Sequence, residues 1–280
     1  MKRAMGARRR SAGRWLAAAA LAAAAGSALL AGCAAAPQQP QQQEATANVV
    51  TPSDEPESRR RARIRLELAT GYYQEGKTEV ALDELKQAIA ADPTFGDPYN
   101  LRGLVYMRLG DNRQAEESFR RALAINPRDA SAHHNYGWLQ CQTNRFRESM
   151  QSFEQAMANP LYPDKPKTLM AQGLCQARAG QREDAERSLA RSYELDAGNP
   201  ITGYNLARLL YMRGDYPRAQ FYIRRLNNSE LANAESLWLG IQVENRMNDS
   251  VAMGQLSEQL RKRFPQSRER QALDRKAFDE

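Results

Sequence analysis

The sequence contains few of the side chains that most often carry catalysis or bind metals. Its 280 residues include two histidines and three cysteines. The histidines, His133 and His134, are adjacent, so on a helix they diverge by about 100° and do not form the i, i+4 pair of a metal site. We expect one to fill an apolar position and the other to face a groove. No Ser/His/Asp signature, glycine-rich phosphate loop or H-E-x-x-H motif is present. We therefore predict a protein that is not an enzyme and that uses no metal, cofactor or small-molecule substrate.

Acidic residues are absent from the first 43 positions, and six basic residues precede an uncharged run rich in Ala and Leu at residues 15–31. A basic start followed by such a run is typical of an export signal. The run ends in Leu30-Ala31-Gly32-Cys33, which resembles the signal of bacterial lipoproteins, in which the cysteine is diacylated and becomes the new N-terminus. The resemblance implies a signal peptide over residues 1–32 and a lipidated Cys33. Ala34 in the next position implies sorting to the periplasmic face of the outer membrane.

Two other interpretations of this segment remain open. Ala34-Ala35-Ala36 fits an ordinary A-x-A cleavage site, which would release a soluble periplasmic protein. The apolar run could also stay attached as an uncleaved membrane anchor.

The formal net charge of +7 comes mostly from the signal segment. Residues 1–32 carry six basic and no acidic residues, so 34 basic and 33 acidic residues remain after cleavage. A nearly neutral chain gives no electrostatic reason to bind nucleic acid, and we predict no such partner.

Residues 33–57 follow the signal and are rich in Pro, Gln, Glu and small polar residues, with Val49 and Val50 as the main apolar side chains. Such a segment buries too little apolar surface to offset its ordering entropy. We predict a flexible tether from the lipidated cysteine, with a reach of about 25–30 Å.

The rest of the chain repeats with a period near 34 residues, which is typical of a tetratricopeptide (TPR) solenoid. The repeating positions are those where two antiparallel helices cross closely and need small side chains, beside a position that fills the adjacent space. The first small residue of each copy is Ala69, Gly103, Gly137, Gly173, Ala207 or Gly240. The second, twelve residues later, is Ala81, Ala115, Ser149, Ala185, Ala219 or Ala252. The apolar residue four positions further on is Leu85, Phe119, Phe153, Leu189, Ile223 or Leu256.

We therefore predict an all-α fold of about six helix-turn-helix repeats in a right-handed superhelix, with the TPR domain at residues 58–267. The turns inside the repeats are expected at Gly76, Gly110, Asn144, Gly180 and Gly214, because glycine and asparagine tolerate the left-handed conformation. The sixth repeat has no glycine at this place. Residues 268–280 are charged, and we expect a polar capping helix or a frayed tail.

Cys141 and Cys175 lie 34 residues apart, at nearly equivalent points of the third and fourth repeats. In an exported protein such a pair favours a disulfide. Two extra residues between these repeats offset the register, so two buried free thiols remain the alternative.

In such a solenoid the first helix of each repeat lines the concave face, and we expect a groove of Met, Leu, aromatic and amide side chains there. Such a surface suits an amphipathic helix or an extended apolar peptide of a protein partner. For each groove residue, packing between repeats is the alternative. The predicted groove residues are Asn100, Leu104, Met107, His134, Asn135, Trp138, Met170, Leu174, Tyr204, Asn205, Arg208, Tyr211 and Met212.

The lipoprotein signal, the polar tether and the six repeats together resemble the PilF/PilW family of type IV pilus biogenesis lipoproteins, the pilotins. The most specific segments are ESLWLGIQVENRMND and LRKRFPQS in the last repeat. The resemblance implies an outer-membrane lipoprotein that binds the pilus secretin and promotes its outer-membrane localisation and multimerisation. Cys141 and Cys175 match a cysteine pair found in some members. We expect the contact on the first four repeats, residues 62–197. The alternative function is a periplasmic TPR scaffold or regulator of cell-wall enzymes or envelope assembly.

Overall fold

The computed structural model describes residues 54–278, and this part of the chain forms thirteen α-helices. The predicted signal peptide and Cys33 lie outside the described residues, as does most of the predicted tether. The helices are α1 (Glu57–Gln74), α2 (Thr78–Ala91), α3 (Gly96–Arg108), α4 (Asn112–Ile125), α5 (Ala130–Gln142), α6 (Phe146–Met157), α7 (Lys165–Arg178), α8 (Arg182–Leu195), α9 (Pro200–Arg213), α10 (Tyr216–Asn227), α11 (Ala234–Arg246), α12 (Ser250–Arg263) and α13 (Arg268–Asp274).

The first twelve helices form six antiparallel pairs, which confirms the prediction of an all-α TPR solenoid. We call the odd-numbered helices α1 to α11 the A helices and their partners the B helices. Each A helix contacts the A helix of the next repeat, whereas no two B helices of successive repeats within residues 54–278 come as close. The A helices therefore line the inner side of the stack, where the units crowd together.

The close crossing of helix A and helix B explains why each repeat has a small residue at the same position. A β-carbon built on Gly173 would lie 2.7 Å from Cγ of Leu189, and one built on Gly137 would lie 2.9 Å from the ring of Phe153. These pairs are the small residue of helix A and the apolar residue of helix B that the period predicted. The apolar residue fills the space that the missing side chain leaves.

The turns inside the repeats use the left-handed conformation. The five predicted turn residues have φ between 61° and 84°, and the sixth repeat uses Asn248 with φ of 58°. Asparagine thus replaces the missing glycine of the last repeat, because its side chain tolerates this backbone conformation.

The first helix begins at Glu57, one residue before the predicted start of the TPR domain. Pro56 precedes it with φ of −54°, a value that suits a helix start. Glu55 forms an ion pair with Arg63 at 3.1 Å, so the chain is already tied to α1 at the end of the predicted tether.

After the sixth repeat, α13 packs on α11 and α12. Leu273 of α13 is buried against Leu237, Ile241 and Leu260. Helix α13 thus covers the apolar surface that a seventh repeat would otherwise cover. Within residues 54–278, no helix combines the length and the apolarity that a membrane span requires.

Candidate functional site

The predicted groove residues of the second and third repeats contribute mainly to packing between repeats. Leu104 and Met107 contact the cluster formed by Ala115, Phe119 and Leu139. Trp138 contacts the cluster around the two cysteines. These side chains are half-buried, so the surface that they offer to a partner is small.

The amides of this region bind each other. Nδ2 of Asn135 donates a hydrogen bond to Oδ1 of Asn100 at 3.0 Å, across two successive A helices. The bond leaves the remaining amide groups available at the inner surface, because both side chains are half-buried.

His134 does not face the groove, and that part of the prediction was wrong. Its side chain is 7% exposed, and its Nδ1 lies 2.9 Å from Oγ1 of Thr168 in the next A helix. Burial, together with the positive charge of Lys167, lowers the pKa of His134 to about 4. The neighbouring His133 is half-buried, and its Nε2 lies 2.9 Å from the carbonyl oxygen of Pro127. His134 therefore fills the packing position between the third and fourth repeats.

Three cavities follow one another along the A helices of repeats four to six, and we call this surface the trough. The first is about 380 Å³ and is lined by residues of α7, α8 and α9. The second, about 730 Å³, and the third, about 420 Å³, lie between α9 and α11. Arg208 lines all three cavities, so they form one continuous surface. The predicted groove residues in the trough are Leu174, Tyr204, Asn205, Arg208, Tyr211 and Met212.

The charges of the trough are separated along its length. Arg178 and Arg182 line the end at repeat four, while Glu235 and Glu269 line the end at repeat six. Arg208 lies between them, is exposed, and forms no ion pair with any residue of the described segment. A ligand with acidic groups towards repeat four would complement this arrangement.

Tyr204 stands at the centre of the trough. Burial raises the pKa of Tyr204, the nearby Glu235 raises it further, and Arg208 acts in the opposite direction. The phenol is therefore neutral at physiological pH and is both a hydrogen-bond donor and an acceptor for a ligand.

The sequence prediction of the groove missed Trp238 and Gln242, which line the trough in the last repeat. Trp238 stands two positions before the small residue Gly240, as Asn135 and Asn205 stand before theirs. The repeat register alone could therefore have placed Trp238 in the groove.

Cys141 and Cys175 form a disulfide between the A helices of repeats three and four, with the Cα atoms 5.8 Å apart. This distance lies in the usual range for a bridged pair. The two extra residues between the repeats lie in the loop between α6 and α7, so they do not move the cysteines apart. The bridge ties α5 to α7, and α7 lines the trough.

The side chains of the trough suit the binding of a polypeptide. Its walls carry arginine, glutamate, amide and aromatic side chains. Within residues 54–278, no group of three or more His, Cys, Asp or Glu side chains is placed to hold a metal ion. A surface of about three cavities in line, with an apolar floor and scattered polar groups, fits an extended polypeptide segment.

Comparison with known proteins gives consistent matches. A family model described as TPR repeat matches residues 71–110, and one described as Tetratricopeptide repeat matches residues 96–161. The Type IV pilus assembly protein PilF of Pseudomonas aeruginosa is 29% identical over 206 residues, which cover 74% of this chain and 82% of PilF. Among solved structures, PilW, a "widely conserved type IV pilus biogenesis factor", is 32% identical with a TM-score of 0.69, covering 76% of this chain and 97% of PilW. The structure of Pseudomonas aeruginosa PilF has a TM-score of 0.71 at 27% identity, covering 78% of this chain and 99% of PilF.

Proposed function

Because this chain belongs to the PilF/PilW family of TPR proteins of type IV pilus biogenesis, we propose that it binds the pilus secretin and promotes its assembly at the outer membrane. In this proposal the protein works by holding another polypeptide and catalyses no reaction. Its partner is a protein, and neither nucleic acid nor a small-molecule substrate takes part.

The observation that supports the proposal most directly is the trough. It runs over three repeats and combines Leu174, Tyr204 and Trp238 with amide and arginine side chains. Among the described residues, none forms an ion pair with Arg208. Aromatic and arginine side chains in a concave surface are typical of the residues that dominate protein interfaces. The sequence led us to expect the contact on the first four repeats, residues 62–197. The trough covers repeats four to six, so the proposed contact includes repeats five and six.

We propose that Cys33 carries the lipid that attaches the protein to the periplasmic face of the outer membrane. Attachment by two or more acyl chains is stable. A secretin subunit held by an anchored protein is confined to the membrane surface, which raises its local concentration and favours ring formation. The proposed tether lets the TPR domain reorient while it holds the subunit.

Gene deletion tests the proposed function. Membrane fractions of the deletion strain are run on semi-native gels, and the secretin is detected as multimer or monomer. We expect the multimer to disappear in the deletion strain and to return when the wild-type gene is restored. Unchanged multimers in the deletion strain would reject the proposed function.

A pair of variants tests the trough as the contact surface. Leu174→Glu combined with Arg208→Glu changes its apolar floor and reverses its central charge, and we expect little or no multimer. Arg113→Glu is the matched control, because Arg113 is exposed on α4, on the side of the B helices. Equal amounts of both variants in the membrane show that neither is degraded. Normal multimers with the double variant would remove the trough from the proposal.

Anchoring is tested separately with Cys33→Ser. We expect labelled palmitate to enter the wild-type protein and not the variant, and the variant to leave the outer-membrane fraction. Incorporation that persists in Cys33→Ser would reject Cys33 as the acylated residue.

A further inference from the structure

The last described residues of the chain contact two residues that line the trough. Helix α13 ends at Asp274, and Lys276 follows with φ of 54°. The backbone N–H of Lys276 donates to the carbonyl of Leu273, and the N–H of Ala277 donates to the carbonyl of Ala272, both at 3.0 Å. This helix end reverses the chain and brings Phe278 back towards α11.

Phe278 makes two contacts with residues that line the trough. Its ring stacks on Trp238, with ring centroids 5.8 Å apart and an interplanar angle of 22°. Its carbonyl oxygen accepts a hydrogen bond from Nε2 of Gln242 at 3.2 Å. Trp238 and Gln242 both line the two cavities between α9 and α11. One side chain and one backbone group of the tail thus bind residues that belong to the wall of the trough.

A groove holds an extended peptide by two kinds of contact: a pocket receives a side chain, and a neighbouring amide binds the backbone. The two contacts of Phe278 are of these kinds. Helix α13 also has an anchor of its own, because Leu273 is buried against Leu237, Ile241 and Leu260, whereas the half-buried ring of Phe278 packs against the same cluster from outside the helix. Leu273 therefore remains as an apolar anchor of the capping helix when the ring of Phe278 leaves. A stacked ring and one hydrogen bond are also contacts that another peptide can make equally well.

We propose that Trp238 and Gln242 form a subsite for an aromatic residue of a partner polypeptide, and that Phe278 occupies this subsite until the partner displaces it. The occupant is an extended segment with one exposed aromatic side chain. Acidic residues towards repeat four would add to its binding, because Arg208, Arg178 and Arg182 line that side of the trough. This inference rests on the proposed function in one respect, namely that the partner is a polypeptide.

The self-occupied subsite has a measurable consequence. A segment in the same chain has a high effective concentration at its own site, so it competes with any added peptide. If the subsite is open in about one-tenth of the molecules, the apparent affinity for an added ligand is about tenfold weaker than that of an open site. Removing the ring of Phe278 leaves the subsite open, so the apparent affinity for the added ligand should rise about tenfold.

The test uses the purified full chain and a fluorescein-labelled peptide with the tail sequence DRKAFDE, residues 274–280, as the probe. Fluorescence anisotropy measures its binding. We expect the Phe278→Ala chain to bind the probe at least tenfold tighter than the wild-type chain. A probe in which alanine replaces the phenylalanine should bind neither chain. The matched control is Phe221→Ala, which removes an exposed ring from α10 and should bind like the wild type.

Two further variants, made in the Phe278→Ala chain, locate the binding. Trp238→Ala should abolish probe binding, while Trp238→Phe keeps a ring in place and should retain it within about fivefold. Circular dichroism confirms the helical content of each variant. Equal probe binding by the wild-type and Phe278→Ala chains, or binding that Trp238→Ala leaves unchanged, would overturn the proposal. Because the probe contains no secretin sequence, either result is independent of the gel assay for secretin multimers.

Discussion

Glu244 is completely buried, and the guanidinium of Arg224 binds both of its carboxylate oxygens. Nε of Arg224 lies 2.7 Å from Oε1, and Nη2 lies 2.8 Å from Oε2. Gln220 donates a further hydrogen bond to Oε2 at 2.7 Å. The three contacts join helix B of the fifth repeat to helix A of the sixth. A buried carboxylate needs such partners, because its removal from water is costly.

Arg224→Met should therefore destabilise the protein by about 2–4 kcal/mol, since it leaves the buried carboxylate of Glu244 without its cation. Urea unfolding followed by circular dichroism measures the loss. Combining Arg224→Met with Glu244→Leu removes both charges and should recover most of the stability.

Arg218→Met is the matched control for this pair. Arg218 is exposed and binds Glu186 and Asp215 at the surface, so its loss should cost at most about 1 kcal/mol. An equal loss for both arginine variants would show that burial of the carboxylate does not determine the effect.

His134 should make stability depend on pH. Its pKa is about 4 in the folded protein, below the ordinary value of 6.5, so the unfolded chain binds the proton more readily. The neutral, buried His134 therefore stabilises the folded protein fully above pH 6.5, and this stabilisation is lost as the pH falls towards 4. Between pH 8 and pH 5 the loss is about 2 kcal/mol.

The measurement is the free energy of unfolding in urea at several pH values. His134→Gln keeps a hydrogen-bonding side chain opposite Thr168 but does not titrate, so its stability should vary less between pH 8 and pH 5. His133→Gln, which removes the neighbouring histidine, should keep the wild-type dependence. Identical pH profiles for the wild type and His134→Gln would contradict the assignment.

Much of the fold could be predicted from the sequence because each repeat must solve the same packing problem. Gly173 beside Leu189 shows why: the crossing requires a small residue at a fixed distance from a large one, and this spacing is visible in the sequence. The turn at Asn248 was harder to recognise, since asparagine occurs in many other places. Its left-handed conformation appears only in the folded chain.

The functional surface was less predictable, because it depends on which inner residues stay exposed after the repeats stack. His134 and Tyr204 occupy the same register position, three residues before the small residue of their repeats, yet one is buried and the other lines the trough. The difference comes from the next repeat, where Thr168 meets His134. The surroundings of Trp238 likewise depend on Phe278, which lies outside the six repeats and could not be placed from their period.

The disulfide gives a third prediction. Cys141→Ser combined with Cys175→Ser removes a bridge that closes a loop of 34 residues, and the free energy of unfolding should fall by about 3–4 kcal/mol. Reduction of the wild type should produce a similar loss in urea unfolding. A count of two reactive thiols in the unreduced, denatured protein would contradict the bridge.

The helix crossings give the last prediction, at Gly103. A β-carbon at this position would meet three ring carbons of Phe119, a side chain that is completely buried. Gly103→Ala should therefore destabilise the protein by about 1–3 kcal/mol, although alanine favours the helix. The free energy of unfolding in urea measures this effect.

Gly254→Ala is the matched control for this substitution. Gly254 also lies inside a helix, α12, but nothing approaches its built β-carbon within 4 Å. Alanine there should stabilise the protein by about 0.5–1 kcal/mol through its helix propensity alone. Opposite signs for the two substitutions would attribute the glycine of the repeat to close packing against helix B. If both variants were more stable than the wild type, the crossing at Gly103 would be loose enough to accept a side chain, and the repeat pattern would need another explanation.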